Sequence, residues 1–579
     1  MAETGTSRTE RTSNDAHEAH ASHTLGRRSF LAASALAAAS ASALTLSGCK
    51  KPVSENGNGG GTLQVFISEP VSIDPYNLQE SEGTQVGSQI FDSLTTYNFK
   101  MDTLEPAAAE SWESNADGTQ FTFHLRDGAV FHNGDPVDAQ SFKRAWERIV
   151  SPKTNPESPS VISYHLAMVD GYGALEKGIG TELTGVTCPD PLTLVVRLSE
   201  PYADFPYVAS HPALAPVPEV ALEDFQKFFL APIGNGPFMM REGTQWVSGQ
   251  YIELVANKNY YGTPPSLDGV YFNIQKDTET AFREFQAGNI DVAHVPVAQL
   301  QNARKTYGVS EDGYTMTPRH EVLDGAQTSI YYLTVNTNDP ILKNKDVRRA
   351  LSLAINRENI CQTVFKGMRS PADNMVPPGI NGYQEGAWKY ARFDPEEAER
   401  ILDSIAPIDA TFPDGAPMRS ALGTIRLASN VDGGHKETME VIMNDFKDLG
   451  ISVELDQGEW ASILSKYQSF DYQIGRLGWV SDYPILDNFL YPLFYTGSGD
   501  NRSGYSNTTV DALIDKARSM TDEEERIRTF QEANGIIAND SPVIPIMFYK
   551  LDYVGSERVD DVYIDPQMLI HMEDARLTF

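Results

Sequence analysis

Helix-like and strand-like segments mix from Thr62 to the end of a 579-residue chain, with no internal repeat that would build a solenoid or a propeller. A chain of that length exceeds what one hydrophobic core supports, so two or three lobes are expected. Residues 63–67 (LQVFI) read as a strand, 121–125 (FTFHL) alternate as a half-exposed strand does, and 192–198 form another. Residues 139–150 (AQSFKRAWERIV) read as an amphipathic helix with Phe142, Trp146 and Ile149 on one face. A second helix is expected over 346–360, and a third opens at Asp394 with Pro395 at its first position and Glu396 and Glu397 in its first turn. A fourth, 437–449, is closed by Gly450 and followed at once by a strand over 451–455. The Pro/Gly-rich stretches 371–383 and 406–416 read as surface loops. This texture is α/β.

The first 61 residues read as an address rather than as structure. Arg27-Arg28-Ser29-Phe30-Leu31 opens an Ala/Ser/Leu-rich run, a basic start with a short apolar core, and resembles a twin-arginine export signal. The run is too rich in Ala and Ser for a stable membrane span. It ends in Leu46-Ser47-Gly48-Cys49, which resembles the lipobox of bacterial lipoproteins, with Cys49 as the lipidated residue. The Gly/Asn-rich segment that follows has the composition of a flexible tether. Residues 1–48 are therefore expected to be a lipoprotein signal peptide and 49–61 a tether. The mature chain is expected outside the cytoplasm, in a periplasmic space or on the outer face, held to the membrane by lipid alone. The formal charge of −33 repels phosphate backbones, so nucleic acid is not a partner. Two further cysteines, Cys188 and Cys361, lie far apart in sequence, and spacing leaves both a disulfide and two separate thiols open.

Four stretches then line up in order. They are Phe131-His132-Asn133-Gly134-Asp135-Pro136-Val137-Asp138-Ala139, Asn235-Gly236-Pro237-Phe238, the Asp346–Arg357 run DVRRALSLAINR, and Gly478-Trp479-Val480-Ser481-Asp482-Tyr483-Pro484. Together they resemble the signatures of the bacterial extracellular solute-binding proteins of family 5, and the likeness is greatest to the oligopeptide-binding members. The resemblance implies a three-lobed type II periplasmic-binding-protein-like α/β fold in which two lobes close over a ligand cleft. It implies a first lobe of 62–91, 220–329 and 549–579, a second of 92–219 and a third of 330–548, with hinges at 329–330 and 548–549. The implied function is capture of oligopeptides by a monomer that delivers them to the permease subunits of an ABC importer. The same fold in the family also binds dipeptides, murein peptides, nickel chelates or sugars.

A receptor for varied peptides must hold what all peptides share: backbone N–H and C=O groups, an ammonium and a carboxylate. By resemblance, Asp482 binds the peptide ammonium; the alternative is an acid that only caps a turn. Gly478 and Val480 would offer backbone groups, and Trp479 a pocket wall or a piece of core. Arg476 is a candidate for the peptide carboxylate or a peptide side chain and His435 for the carboxylate, with a structural ion pair and an ordinary surface imidazole as the respective alternatives. The position of a second ammonium-binding acid falls on Gln79, with Glu80 and Glu82 beside it, and Ser81 falls where backbone pairing to the peptide occurs. Tyr331, Tyr332 and Trp460 match aromatic positions along the cleft, or else belong to the lobe core. Catalysis is not expected. There is no Gly-x-Ser-x-Gly elbow and no His-Glu-x-x-His motif, and the single Ser-x-x-Lys, Ser47 to Lys50, straddles the expected cleavage point. Three of the eleven histidines lie in the leader and the other eight lack ligand spacing, so no metal or cofactor is expected.

Overall fold

A computed structural model describes residues 60–78, 80–319, 321–430, 435–458 and 460–578, with the backbone alone of Trp460 and Ala461. The expected signal, Cys49, most of the tether and Gln79 lie outside these residues. The described chain from Gly60 onward forms one compact unit. No helix among the described residues is long and apolar enough to cross a membrane.

Three sheets organise that unit. The first holds six strands, with Thr62–Ile67 parallel to Gly269–Ile274 and flanked on its other edge by Val292–His294. The second is a four-stranded antiparallel sheet built from Ala109–Ser114, Gln120–Leu125, Val186–Asp190 and Thr193–Arg197. The third, again six-stranded, is centred on Ala326–Val335, which pairs antiparallel with Ile474–Val480 on one side and Val543–Lys550 on the other. Paired on both edges and covered on both faces, Ala326–Val335 is almost entirely buried. Alternation of side chains along it sends Tyr331 and Tyr332 into two different apolar clusters.

The family signatures acquire physical reasons. In the first, Gly134 sits at φ 88° in a tight turn, and Asp138 then caps the helix Ala139–Val150 in a reciprocal capping box with Ser141. That helix buries Phe142, Trp146 and Ile149, as its periodicity predicts, and the Trp146 indole donates to the Leu214 carbonyl at 2.9 Å. Each such side chain contributes roughly 1.5–3 kcal/mol on burial. In the third signature the arginines cap carbonyls. Arg348 donates to Leu342 and Ser541, Arg349 to Asn539, and Arg357 to Pro545 and Ser352. Two of these carbonyls, Asn539 and Ser541, lie at the C-terminal end of the long helix Glu523–Asp540, where positive charge is favoured.

Two sequence expectations are corrected. The helix expected over 346–360 is two helices, Lys345–Ala354 and Arg357–Thr363. Asn356 breaks the run because its side chain caps the second helix through the Asn359 N–H, while its own N–H donates to Asp445 at 3.0 Å. The Gly478–Pro484 stretch, whose glycine, tyrosine and proline read as a turn after a strand over 473–477, turns only from Ser481, because Trp479 and Val480 remain in ladder register with Ile330 and Ser329. The 406–416 loop also contributes a two-residue strand, Ala410–Thr411, paired with Pro417–Met418. Cys188 and Cys361 are both free thiols, which settles their pairing.

The Asn235-Gly236 turn grips the end of the helix Ser81–Ile90. Gly236 N–H donates to the Ile90 carbonyl at 2.8 Å, and the Asn235 amide bonds both the N–H and the C=O of Asp92 at 3.0 Å. A Cβ on Gly234 would lie 2.0 Å from the Ile90 carbonyl oxygen, a backbone atom that cannot swing away. Gly234→Ala is therefore expected to destabilise by about 1–3 kcal/mol or more, read as a lowered urea midpoint with unchanged m.

Candidate functional site

A cleft of about 740 Å³ runs between the helix Ser81–Ile90, the 210–212 and 260–263 segments, the 480–482 segment and the C-terminal loop 565–574. That volume lies within the range of ligand pockets. Of the residues singled out in the sequence, Glu80, Ser81, Glu82, Val480 and Asp482 line it. Ser81 and Val480 are exposed, and Val480 is 55 % so in spite of being apolar.

The exposure follows from the ladder. On its outer edge, the strand Ile474–Val480 pairs with Thr424–Asn430 only at Ile474 and Gly475. Beyond that the Tyr467 hydroxyl donates to the Arg476 carbonyl at 3.2 Å, and among the described residues no strand pairs with the edge from Leu477 to Val480 on that side. Backbone N–H and C=O groups on such an edge are a template for another extended chain.

Asp482 stands just past this edge. Its carboxylate accepts from the Tyr164 hydroxyl at 3.3 Å and from the Asn488 amide at 3.2 Å. No cation among the described residues forms an ion pair with it. Burial pushes its pKa above the ordinary carboxylate value, and His211, Asn488 and Tyr164 only partly oppose that. The imidazoles of His165 and His211 lie 4.6 Å apart, and burial lowers both to about 3, so they are neutral at physiological pH. Asp482 is thus a desolvated carboxylate solvated by neutral donors, an arrangement that favours an incoming cation.

The other sequence candidates divide into two groups. Arg476, Tyr331 and His435 come together away from the cleft lining: the Arg476 guanidinium lies 5.0 Å from the Tyr331 ring centroid, and the His435 ring 5.6 Å from it. Burial and the nearby Arg476 lower His435 to about 4. Gly478 is exposed on the open edge beside them. Trp479 and Tyr332 instead join the apolar cluster around Phe489 and Phe548, and the Trp479 indole donates to Asn488 at 3.2 Å. That hydrogen bond makes Trp479 a brace for the same Asn488 that holds Asp482. Trp460 opens the helix Trp460–Gln468, and its side chain lies outside the described residues. The acids beside Gln79 both line the cleft, but Glu80 is engaged as a helix cap through the Gly83 N–H at 2.6 Å and also takes the Val71 N–H.

Sequence reasoning missed most of the far wall. Asp92 accepts from the hydroxyls of Tyr260 and Tyr261 at 2.6 and 2.5 Å, and burial raises it to about 6 against those bonds. His571 bonds Asp565 at 3.0 Å and pairs with Glu573 at 3.4 Å; against the effect of burial, these two acids raise it to about 10, so it is an imidazolium. The Asn235-Gly236 signature holds Asp92 in place and is the one sequence signal that points to it. Nothing local marks the C-terminal loop. Among the described residues no group of three or more side chains is arranged to hold a metal ion.

These features define a solute receptor rather than a reaction centre, and the comparisons with known proteins give the class. Residues 103–501 match the model for the bacterial extracellular solute-binding proteins, family 5 (middle region), and the chain belongs to that family. It is 30% identical over 533 residues to the oligopeptide-binding protein OppA of Bacillus subtilis, covering 90% of this chain and 93% of that one. It is 27% identical over 499 residues to heme-binding protein A of Haemophilus influenzae, covering 82% and 85%. Its fold matches that of the murein tripeptide binding protein MppA of Escherichia coli with a TM-score of 0.69 at 25% identity, over 90% of this chain and 99% of that one. The chain is thus a type II periplasmic-binding-protein fold and a non-catalytic, extracytoplasmic solute-binding protein of the ABC-importer kind.

Proposed function

We propose that this protein captures oligopeptides in an extended conformation, with the peptide ammonium on Asp482 and the peptide backbone on the open edge of Gly478 to Val480. The observation that carries this reading is the half-buried Asp482 carboxylate, without a cationic partner among the described residues, at the end of an unpaired strand edge. Arg476 on the same strand and His435 at the start of the helix His435–Asp448 stand as the candidates for the far carboxylate. Tyr331 supports Arg476 from beneath.

The three sheets support a division into lobes of 62–91 with 220–329 and 549–579, of 92–219, and of 330–548. Residues of the second and third meet through Arg526–Asp204 at 2.8 Å and the Tyr207 hydroxyl on Glu523 at 2.8 Å. A peptide touching both jaws favours the closed state and shifts the population toward it. The permease subunits of an importer then read the closed shape. The Cys49 lipobox supports attachment of the monomer to the membrane by lipid.

Native mass spectrometry of the purified protein tests this reading. A spread of bound masses that release as short peptides is expected; a single discrete non-peptide mass would replace the peptide by another solute. The pH dependence has a definite sign. Free Asp482 has a raised pKa, and a bound ammonium lowers it, so binding expels a proton wherever the free carboxyl is protonated. Affinity is expected to be flat above the free pKa and to fall as pH drops through it, by up to about tenfold per unit. Titration calorimetry across the acid range checks this, and Asp482→Asn should abolish the slope.

A further inference from the structure

The cleft is strongly acidic. Seven carboxylates line it, whereas Arg126 and His571 are the lining side chains that carry positive charge. Several of the acids are already engaged. Glu80 caps a helix, Asp565 and Glu573 share His571, and Asp482 is the proposed partner of the peptide ammonium. Asp92 has no such role. Both tyrosine hydroxyls fall on its Oδ2, and among the described residues no hydrogen bond reaches Oδ1. The nearby Arg126 charge favours the ionised carboxylate but only partly offsets its burial. Arg126 points its Nε at the Ala107 carbonyl at 2.6 Å and its guanidinium at the Tyr261 ring, and forms no ion pair among the described residues.

One helical turn before Asp92 lies Gln89, which also lines the cleft and is 3 % exposed. Its amide nitrogen donates to the Ile570 carbonyl at 2.9 Å, and its Oε1 has no hydrogen-bond partner among the described residues. A buried amide oxygen without a donor is destabilising, and a ligand N–H relieves it. The wall beside these acceptors is aromatic: Tyr97 and Phe99 stack edge to face at 4.8 Å, next to Tyr260 and Tyr261. Acceptor oxygens beyond an aromatic wall match a side chain with an apolar stem and a multi-donor cationic tip.

We infer that Asp92 and Gln89, with the aromatic wall of Tyr97, Phe99, Tyr260 and Tyr261, form a subsite for a cationic side chain, so that the receptor selects peptides bearing lysine or arginine and rejects acidic ones. The inference rests on the peptide reading and adds a side-chain preference to it. The subsite lies on a different element from the ammonium position: Asp482 follows the strand Ile474–Val480, and Asp92 follows the helix Ser81–Ile90. The acidity of the rest of the cleft acts in the same direction, attracting cationic ligands and repelling anionic ones.

Tetrapeptides of alanine carrying lysine, norleucine or glutamate at the second, third or fourth position test it by calorimetry on the whole protein. Norleucine keeps the stem of lysine without the charge. At one position lysine is expected to bind about tenfold tighter than norleucine and glutamate weaker than both. Asp92→Asn should bring lysine to within about threefold of norleucine. Equal affinity for lysine and norleucine at every position overturns the subsite and leaves the peptide reading standing, as does an equal loss for both peptides in a folded Asp92→Asn protein. Failure of every peptide to bind overturns both. The unsubstituted protein alone decides the comparison of lysine with norleucine, so the test survives a variant that does not fold.

Discussion

Asp482→Ala is expected to weaken the binding of an unblocked peptide by about 2–5 kcal/mol, roughly 30-fold to several-thousand-fold, because it removes one partner of a desolvated charge pair and leaves an ammonium buried alone. The unliganded protein should respond in the opposite sense. Burial raises the Asp482 pKa in the folded state. The folded protein therefore holds that proton more tightly than the unfolded chain, and stability falls as pH rises from the unfolded value through the folded one. At neutral pH the ionised carboxylate is a net liability to the empty fold. Asp482→Asn, which keeps the shape and loses the charge, is thus expected to hold or raise the melting temperature of the empty protein while losing affinity. A binding-site carboxylate shows this split; a turn-capping aspartate would lose stability and leave affinity intact. Thermal melts with and without peptide distinguish the two.

Arg148→Met is expected to destabilise the fold by about 3–5 kcal/mol. Arg148 meets Asp74 through two parallel hydrogen bonds of 2.7 and 2.6 Å, with the two side chains 1 % and 0 % exposed. Its guanidinium also lies 5.1–5.3 Å from the ring centroids of Tyr76, Phe225 and Phe228. Removing it leaves the Asp74 carboxylate in a dry aromatic pocket with the Tyr76 N–H at 3.0 Å as its hydrogen-bond donor. Methionine fills much of the volume and isolates the charge effect. Adding Asp74→Asn should return a large part of the loss, since replacing both partners of a buried pair is far milder than breaking it. The pair ties the 74–77 turn, which leads into the cleft helix, to the helix Ala139–Val150. A lowered first thermal transition and a double-substitution cycle read the effect.

What the sequence reveals depends on how local the cause is. The Ala139–Val150 helix appears at its full length because its apolar spacing and its Asp138 cap both lie within the segment. The break at Ile355-Asn356 is hidden because the strong helical pattern of 346–360 outweighs one capping asparagine, whose decisive partner, Asp445, is remote. Trp479 sits in the ladder rather than in a turn because pairing with Ile330 overrides a Gly-Trp-Val-Ser string that looks turn-like. In the cleft, Asp482 is legible through its signature. Asp92, Gln89 and His571 are not, because they matter through contacts with residues such as Tyr260 and Ile570 that no spacing links to them. Tyr331 and Tyr332 show the same limit, since adjacent aromatic residues on a strand face opposite ways and only the packing says what each one meets.

The most direct test of the account is selective retention. The protein is incubated with a mixture of random tetrapeptides, half of them acetylated at the amino terminus, and the retained peptides are weighed by mass spectrometry after gel filtration. Recognition of the ammonium by Asp482 predicts that the retained peptides are almost all unblocked. Equal retention of blocked and unblocked peptides, or retention of neither, would contradict it.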